Sequence, residues 1–518
     1  MDKQQSLRKA VINSHSNIQD EARKRAVEYQ HSRGKLTARE RVELICDKDT
    51  FLEFGGLALP SDNNDSAPSF GDALVTGWAD IEHKRVIIAV ADFTINGGSN
   101  GDIGLEKMRR SYMRAIDSGV PMVQLLEGVG HRISEGLDSR LFSPGFDSLA
   151  LQAQLSGWVP TPVAVLGQSF AAMTLIASMC DFVVVVKGMS YMGIAPPQLV
   201  KKAIGENIDA EELGGSDTQA KKNGIADYIV NSEDEASSII KQYLSYFPAN
   251  SSLAPPVSEV KAPDPIFAAK LPEIIPADMR YAYDVKKVIK GIIDADSMLE
   301  IKADYAKNIV CCLVKIGGRS VGIVANQPNF LAGSLDSPAC EKAAHFINLC
   351  DSFGIALLFL LDLPGFLVGS EVERSKLARK SARLIYEIAL TTVPTYNVVL
   401  RKAYGGAYMA MNGGRSFNAE LTLAWPTAEF AAMNVETAVD VAFKKQIMSA
   451  EDPQQEKQKI VEQTREKLGP IRAAEGFGID DVILPEQTRK YLVHALKSAP
   501  VRRRQTTNTP KTRPVSPI

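Results

Sequence analysis

At two places in this 518-residue chain an apolar run ends in small residues and a helical pattern begins. The first is Gly167-Gln168-Ser169-Phe170-Ala171-Ala172-Met173; the second is Lys402-Ala403-Tyr404-Gly405-Gly406-Ala407-Tyr408-Met409. The start of a helix leaves backbone N–H groups without intrahelical acceptors and carries the positive end of the helix dipole. Small side chains let a ligand oxygen reach those amides. Such a junction can hold a developing oxyanion, and losing one donor of this kind costs ~3–4 kcal/mol of transition-state stabilisation. Spacing alone is equally compatible with Gly and Ala serving close helix–sheet packing. Recurrence favours chemistry: Ala171-Ala172 and Gly406-Ala407 lie 235 residues apart.

The same offset runs through much of the chain. It brings Gly98-Ser99 onto Gly333-Ser334, Glu106-Lys107 onto Glu341-Lys342 and Gly119 onto Gly354. It also brings Leu125-Leu126 onto Leu360-Leu361, Glu127 onto Asp362, Gly130 onto Gly365 and Val163 onto Val398. One α/β domain, duplicated and diverged, accounts for this. A duplicated domain carries two equivalent sites, and one reaction can use both. Beside the amide pairs, Gly130 and Gly365, in the loops after the apolar strands, are candidate substrate-binding residues, and Tyr408 and Met409 follow the second pair directly.

A rival motif overlaps the first junction. Gly167 to Ala171 approximates the G-x-S-x-G nucleophile elbow, which would make Ser169 the nucleophile of a hydrolase. Against it, the duplicate position carries Tyr404, and no His stands in a triad context: His345 lies in a helical pattern and His494 near the tail. No Walker A or dinucleotide spacing is present, and Gly97 to Gly101 reads as a plain turn. The six histidines lack metal-ligand spacing, so no metal is expected; His131, just after Gly130, reads as a surface or supporting residue. Cys46, Cys180, Cys311, Cys312, Cys340 and Cys350 form no CxxC pair and read as reduced core residues.

The elements that must position these residues follow an α/β plan. Two strands are expected in Ala73 to Phe93 around a turn at Glu82 to Lys84, then a helix from Leu105 to Ser118 and a buried strand ending at Glu127. The strand TPVAVLG leads into the first junction, and DFVVVV follows its helix. In the second half the strands are CCLVKI, SVGIVAN, IALLFLLD and TYNVVL, with helices from Glu341 to Ser352 and Val372 to Leu390. An exposed charged helix is expected over 451–468. The Pro- and Ser-rich segment from Phe247 to Pro265 reads as the linker. The domains are therefore placed at 1–250 and 266–500, with a basic disordered tail over 501–518.

With 45% hydrophobic and 23% charged residues, the composition is that of an ordinary globular protein. A net charge of −2 gives no field favouring nucleic acid. The polar N-terminus and short apolar runs point to a cytoplasmic protein without a signal peptide or membrane span.

At GKLTARERVELICD, VKIGGRSVGIVANQP, LAGSLD, LDLPGFLVG, LRKAYGGAY and LAWPTAEFA the chain resembles the carboxyltransferase (β) subunits of biotin-dependent acyl-CoA carboxylases. The match spans about residue 33 to about residue 496. The resemblance implies two duplicated crotonase-like (ββα-superhelix) domains, each contributing an oxyanion hole of adjacent amides. One hole holds the acyl-CoA thioester oxygen as the enolate forms; the other holds the ureido oxygen of carboxybiotin. By motif the second falls on Gly406-Ala407 and the first on Ala171-Ala172, where the family shows Gly-Gly. The loop Glu127 to Arg132 also departs from the family's Ser-Gly-Gly-Ala-Arg run. Met409 stands where propionyl-type members carry an acidic residue, so a differently shaped acyl pocket is implied. No Met-Lys-Met biotinylation sequence or ATP-binding motif is present. The implied partners are a biotin carboxylase and a biotin carboxyl carrier subunit, with coenzyme A entering as the thioester. A homo-oligomer, often a hexamer, is implied, with the N-terminal domain of one subunit facing the C-terminal domain of another. The same fold run in reverse serves decarboxylase subunits, the one setting with a membrane partner. A non-catalytic assembly subunit is a further alternative.

Overall fold

The computed structural model describes residues 3–60, 69–143, 147–276, 278–414, 417, 419–502 and 515. Two compact units divide the chain between Leu253 and Ala254, inside the Pro- and Ser-rich segment. Of the expected tail, all but Val501, Arg502 and Val515 lie outside the described residues. Arg502 donates to the carbonyls of Asp351 and Ser352, both at 2.8 Å.

The first unit holds β1 (Leu52–Glu53), β2 (Leu74–Ile81), β3 (Lys84–Ala91), β4 (Met122–Gly128), β5 (Pro162–Phe170), β6 (Phe182–Val186), β7 (Tyr191–Gly193) and β8 (Tyr228–Val230). They form one sheet in the order β1-β2-β3-β4-β5-β6-β8, with β7 beside β5. The first two pairings are antiparallel and the rest parallel. The second unit repeats this with β9 (Leu299–Ile301), β10 (Ile309–Ile316), β11 (Arg319–Asn326), β12 (Ala356–Leu363), β13 (Thr395–Tyr404), β14 (Leu421–Ala424), β15 (Glu429–Ala431) and β16 (Asp481–Val482). Its order is β9-β10-β11-β12-β13-β14-β16, with β15 beside β13. Near-continuous apolar strands are what a parallel sheet covered on both faces requires.

The duplication reaches individual residue pairings. Leu74 pairs with Ala91 across β2 and β3, and Ile309 with Asn326 across β10 and β11, both residues displaced by the same offset. The hairpin turns are Glu82-His83, at φ 49° and 61°, and Gly317-Gly318, at φ 59° and 77°. Two successive positive φ values suit the type I′ turn of a tight hairpin. Gly takes them without cost; Glu82 and His83 do not. In both units a carboxylate receives the two turn amides: Asp47 at 3.0 and 2.8 Å, Asp294 at 2.9 and 2.8 Å.

Helix α1 (Asp102–Ser118) turns Met108, Tyr112 and Ala115 onto Leu74, Ile87, Ala89 and Met122 of the sheet. Its counterpart α3 (Ser337–Ser352) is buried on nearly every face. Lys107 of α1 and Lys342 of α3 are both buried. Lys107 caps the carbonyls of Gly71 and Leu74; Lys342 caps those of Lys302, Tyr305 and Ile309. Each ammonium ties its helix to the loop that enters the first long strand. The expected helix from Val372 to Leu390 is two pieces, Ser370–Arg374 and α4 (Leu377–Ala389), because Lys376 takes a left-handed conformation at φ 66° between them. The charged helix Pro453–Arg465 buries Ile460 against Val435 and Val439.

Candidate functional site

Both junctions are strand-to-helix turns. In the first unit β5 runs into α2 (Ala172–Ser178); in the second, β13 runs into α5 (Gly405–Ala410). Their correspondence differs by one residue from the reading made at constant offset. Gln124 of β4 pairs with Val163, whereas the matching Phe359 of β12 pairs with Asn397. The ladder therefore matches Val163 to Asn397 and Ala171 to Gly405. Backbone geometry agrees: Ala171 has φ 58° and Gly405 φ 63°.

This changes the amide pair in the first unit. The Ala171 N–H donates to the Gly193 carbonyl at 2.9 Å and is spent on the sheet. The expectation of Ala171-Ala172 as the donor pair is corrected on this point, because Ala171 serves as the turn. The amides that follow, of Ala172 and Met173, lie in the first turn of α2, where an N–H has no intrahelical acceptor. Gly406 and Ala407 hold the same places in α5. Gly406 is exposed, and a Cβ placed on it would meet only the Phe366 ring, at 4.0 Å. An approach to these amides is therefore open.

The loops carrying Gly130 and Gly365 reach these helix starts. Asn100 donates to the Gly130 carbonyl at 2.9 Å and receives Arg132 at 2.8 Å; Leu335 donates to Gly365 at 3.2 Å and receives Leu367 at 2.8 Å. Gly130, at φ 94°, sits where a Cβ would lie 3.9 Å from that of Ala171. The matching loop sets Phe366 beside Gly406. Met409 is 55% exposed on α5. Tyr408 stands edge-on to Phe430, with ring centroids 5.7 Å apart, and burial pushes its phenol up to about 12.

Behind the turns lie the paired acids. Glu127 is fully buried and bound by Lys35 and Arg41 at 2.7 Å each and by Gln30 at 2.8 Å. Arg41 also grips Glu233 at 2.7 Å. Asp362 accepts from Arg401 at 3.0 Å and from the Lys402 amide at 3.1 Å. Both carboxylates are structural. The backbone at these acids is closely packed as well: a Cβ on Gly98 would lie 2.3 Å from the Glu127 carbonyl oxygen, and one on Gly333 2.5 Å from that of Asp362. The glycine-rich loop is thus a 3-10 turn fitted against a strand end.

Ser169 does not form a nucleophile elbow. It lies within β5, paired across to Gly128 and Met192, with no exposed surface. An elbow needs its hydroxyl at an exposed turn. The His131 ring lies against Phe142, 5.7 Å between centroids, and burial holds its pKa below the usual imidazole range. The cysteines are free and buried. Among the described residues no group of His, Cys, Asp and Glu is arranged to hold a metal ion, and no helix is long and apolar enough to cross a membrane.

Two supports of the junctions escape a reading of the sequence. In the first unit the Thr174 hydroxyl donates to the Ser169 carbonyl, lies 3.0 Å from the Gly193 carbonyl and receives the Gly193 amide at 2.9 Å. In the second, the Tyr404 hydroxyl donates to Glu429. A hydroxyl three residues into a helix pattern was the available signal for Thr174; nothing in the spacing pairs Tyr404 with Glu429.

Two matched α/β units, each ending a central strand in a helix start, define a duplicated fold with two equivalent sites. The carboxyl transferase domain pattern matches residues 29–514, and the chain belongs to that family. It is 36% identical over 473 residues to the carboxyltransferase subunit of propionyl-CoA carboxylase from Haloferax mediterranei, covering 90% of this chain and 91% of that one. It is 38% identical over 482 residues to the methylmalonyl-CoA carboxyltransferase 12S subunit of Propionibacterium freudenreichii subsp. shermanii, covering 91% and 90%. Among solved structures, the transcarboxylase 12S hexamer with methylmalonyl-coenzyme A and methylmalonic acid bound superposes with TM-score 0.88 at 36% identity, over 95% of this chain and 94% of that one. The two units are crotonase-like, and the chain is a carboxyltransferase.

Proposed function

We propose that this chain moves a carboxyl group between carboxybiotin, borne on a separate carrier subunit, and the α- or vinylogous carbon of an acyl-CoA. The observation that carries this reading is the pair of accessible helix starts at equivalent places in the duplicated units. Ala172-Met173 and Gly406-Ala407 are the proposed donor pairs, with Ala171 and Gly405 as the turns that aim them. One pair receives the thioester oxygen, whose negative charge grows as the α-carbon loses its proton. The other receives the ureido oxygen of the biotin group. Fixed amides lower the cost of that charge without reorganising at the moment of reaction. Carboxybiotin, when bound, supplies CO2 and a ureido nitrogen able to take the substrate proton. The chain's own work is to hold the two oxygens and orient what they belong to. The engaged state of Glu127 and Asp362 fits a reaction that needs no side-chain base.

Gly130, Phe366, Tyr408 and Met409 are proposed to line the acyl-CoA approach, with the exposed thioether of Met409 giving an apolar, adaptable wall. Residues 1–250 and 266–500 are taken as the two functional domains, and the chain as a cytoplasmic homo-oligomer that works with a biotin carboxylase and carrier. The test is transfer of labelled carboxyl from a carboxylated biotin carrier to a panel of acyl-CoA thioesters. Label in at least one acyl-CoA is expected; a folded protein that labels none across propionyl-, acetyl- and methylcrotonyl-CoA contradicts the reading.

A further inference from the structure

In both units a short strand runs beside the end of the central strand and backs the helix start: β7 beside β5, and β15 beside β13. The ladders match Phe170 with Tyr404 and Tyr191 with Glu429, since Gln168 faces Tyr191 as Lys402 faces Glu429. The first unit fastens its short strand with Thr174, whose hydroxyl bridges Ser169 and both backbone groups of Gly193. The residue matching Thr174 is Tyr408, whose ring is turned against Phe430 and the Gly413 backbone. That fastening is therefore missing from the second unit.

Another takes its place. Tyr404, 2% exposed, donates its hydroxyl to Oε1 of Glu429, which is 6% exposed. Oε2 of Glu429 faces Arg465 at 3.4 Å, and Arg465 is held by Glu436 at 2.6 Å. Tyr404 is the last residue before Gly405, and a Cβ on Gly405 would stand 3.1 Å from the carbonyl oxygen of Ala432, just past β15. The backbone of β15 thus forms the back wall of the turn. Burial and the carboxylate keep the phenol protonated and donating.

We infer that Tyr404, Glu429 and Arg465 form a latch that fixes the direction of the Gly406 and Ala407 amides, making Tyr404 and Glu429 positioning residues for carboxyl transfer. The inference rests on the role proposed above for those amides. A donor pair aimed at a growing charge loses its advantage when its turn can shift, whereas substrate affinity is set by contacts elsewhere on the thioester.

The experiment uses the full chain with its biotinylated carrier and the best acyl-CoA. Tyr404→Phe is expected to lower kcat about tenfold with KM changed less than about twofold, the pattern of an interaction made in the transition state. Glu429→Ala should behave alike, and Glu429→Gln, which keeps an acceptor, should recover most of the rate. Hydrogen exchange of the peptide containing residues 405–408 should quicken in Tyr404→Phe and Glu429→Ala but not in Glu429→Gln. Full kcat in Tyr404→Phe, or equal losses in kcat for Glu429→Gln and Glu429→Ala, overturns the latch. A kcat loss without faster exchange at 405–408 also overturns it. Gly406→Val separates the two ideas. If it is inactive while Tyr404→Phe is fully active, the latch fails and the function stands. If wild-type protein transfers no label, the function itself fails.

Discussion

Ala171 holds φ 58° and ψ −123°, a combination that suits the glycine of a type II′ turn. A Cβ there costs about 1–3 kcal/mol. Its matched residue is Gly405, so the second unit avoids the strain. Ala171→Gly should therefore stabilise the protein by about 1 kcal/mol, after the added freedom of the unfolded chain is subtracted. Equilibrium unfolding would show it, and unchanged or lower stability would contradict the assignment of strain. Asp181 gives a second prediction. Burial pushes its carboxyl up to about 7, although its Oδ2 accepts the Thr161 amide at 2.9 Å. Below the unfolded pKa both states hold the proton. Between about pH 4 and about 7 only the folded state keeps it, so stability falls across that window, by at most about 4 kcal/mol, and flattens above it. Asp181→Asn should remove that slope; an identical pH profile in the variant would refute it. At this scale the sequence was legible in the small residues that begin a helix after a buried strand, as at Gly406 and Ala407. It misled at Ala171, because whether an amide is free depends on the Gly193 carbonyl, which reaches it through a parallel strand 22 residues further on.

Elements were more readable than their joins. Apolar runs located the central strands, because strands buried on both faces need such runs, and helical spacing of charged and apolar residues located the two long helices. The one-residue slip between β5 and β13 was not readable. It arises in the connection between the paired strands, since Gln124 and Val163 are 39 residues apart and Phe359 and Asn397 are 38, and an apolar pattern does not report a one-residue change in a connection. The carboxylates Asp47 and Asp294 do the same work on their hairpins but lie 247 residues apart, outside the constant offset. The strongest join is at Glu127, where β4 meets helix Ala38–Ile45 through Arg41, and Arg41 meets helix Glu233–Leu244 through Glu233. Removing one member leaves buried cations without their partner. Glu127→Ala should cost about 3–5 kcal/mol, more than Glu127→Gln. A loss under about 1 kcal/mol in denaturant unfolding would show that the network is not what joins these elements.

For the whole molecule, duplication explains why two equivalent helix starts exist and why a reaction with two oxygens to hold suits them. The sequence announced the duplication through repeated pairs such as Leu125-Leu126 and Leu360-Leu361; the family resemblance supplied the chemistry. If each working site draws one pair from each of two subunits, inactive Ala172→Trp and Gly406→Val proteins should partly complement when mixed and reassembled. Verified mixed oligomers without activity would contradict a shared site. The most direct measurement is the turnover of carboxyl transfer by Gly406→Val with a biotinylated carrier and a saturating acyl-CoA. The side chain would fill the space before the amides while leaving the core of the second unit intact. A loss of about 100-fold or more in a protein that unfolds at the wild-type temperature is expected, the scale of a lost oxyanion donor. Near-normal turnover in that folded variant would contradict the claim that these amides do the chemistry.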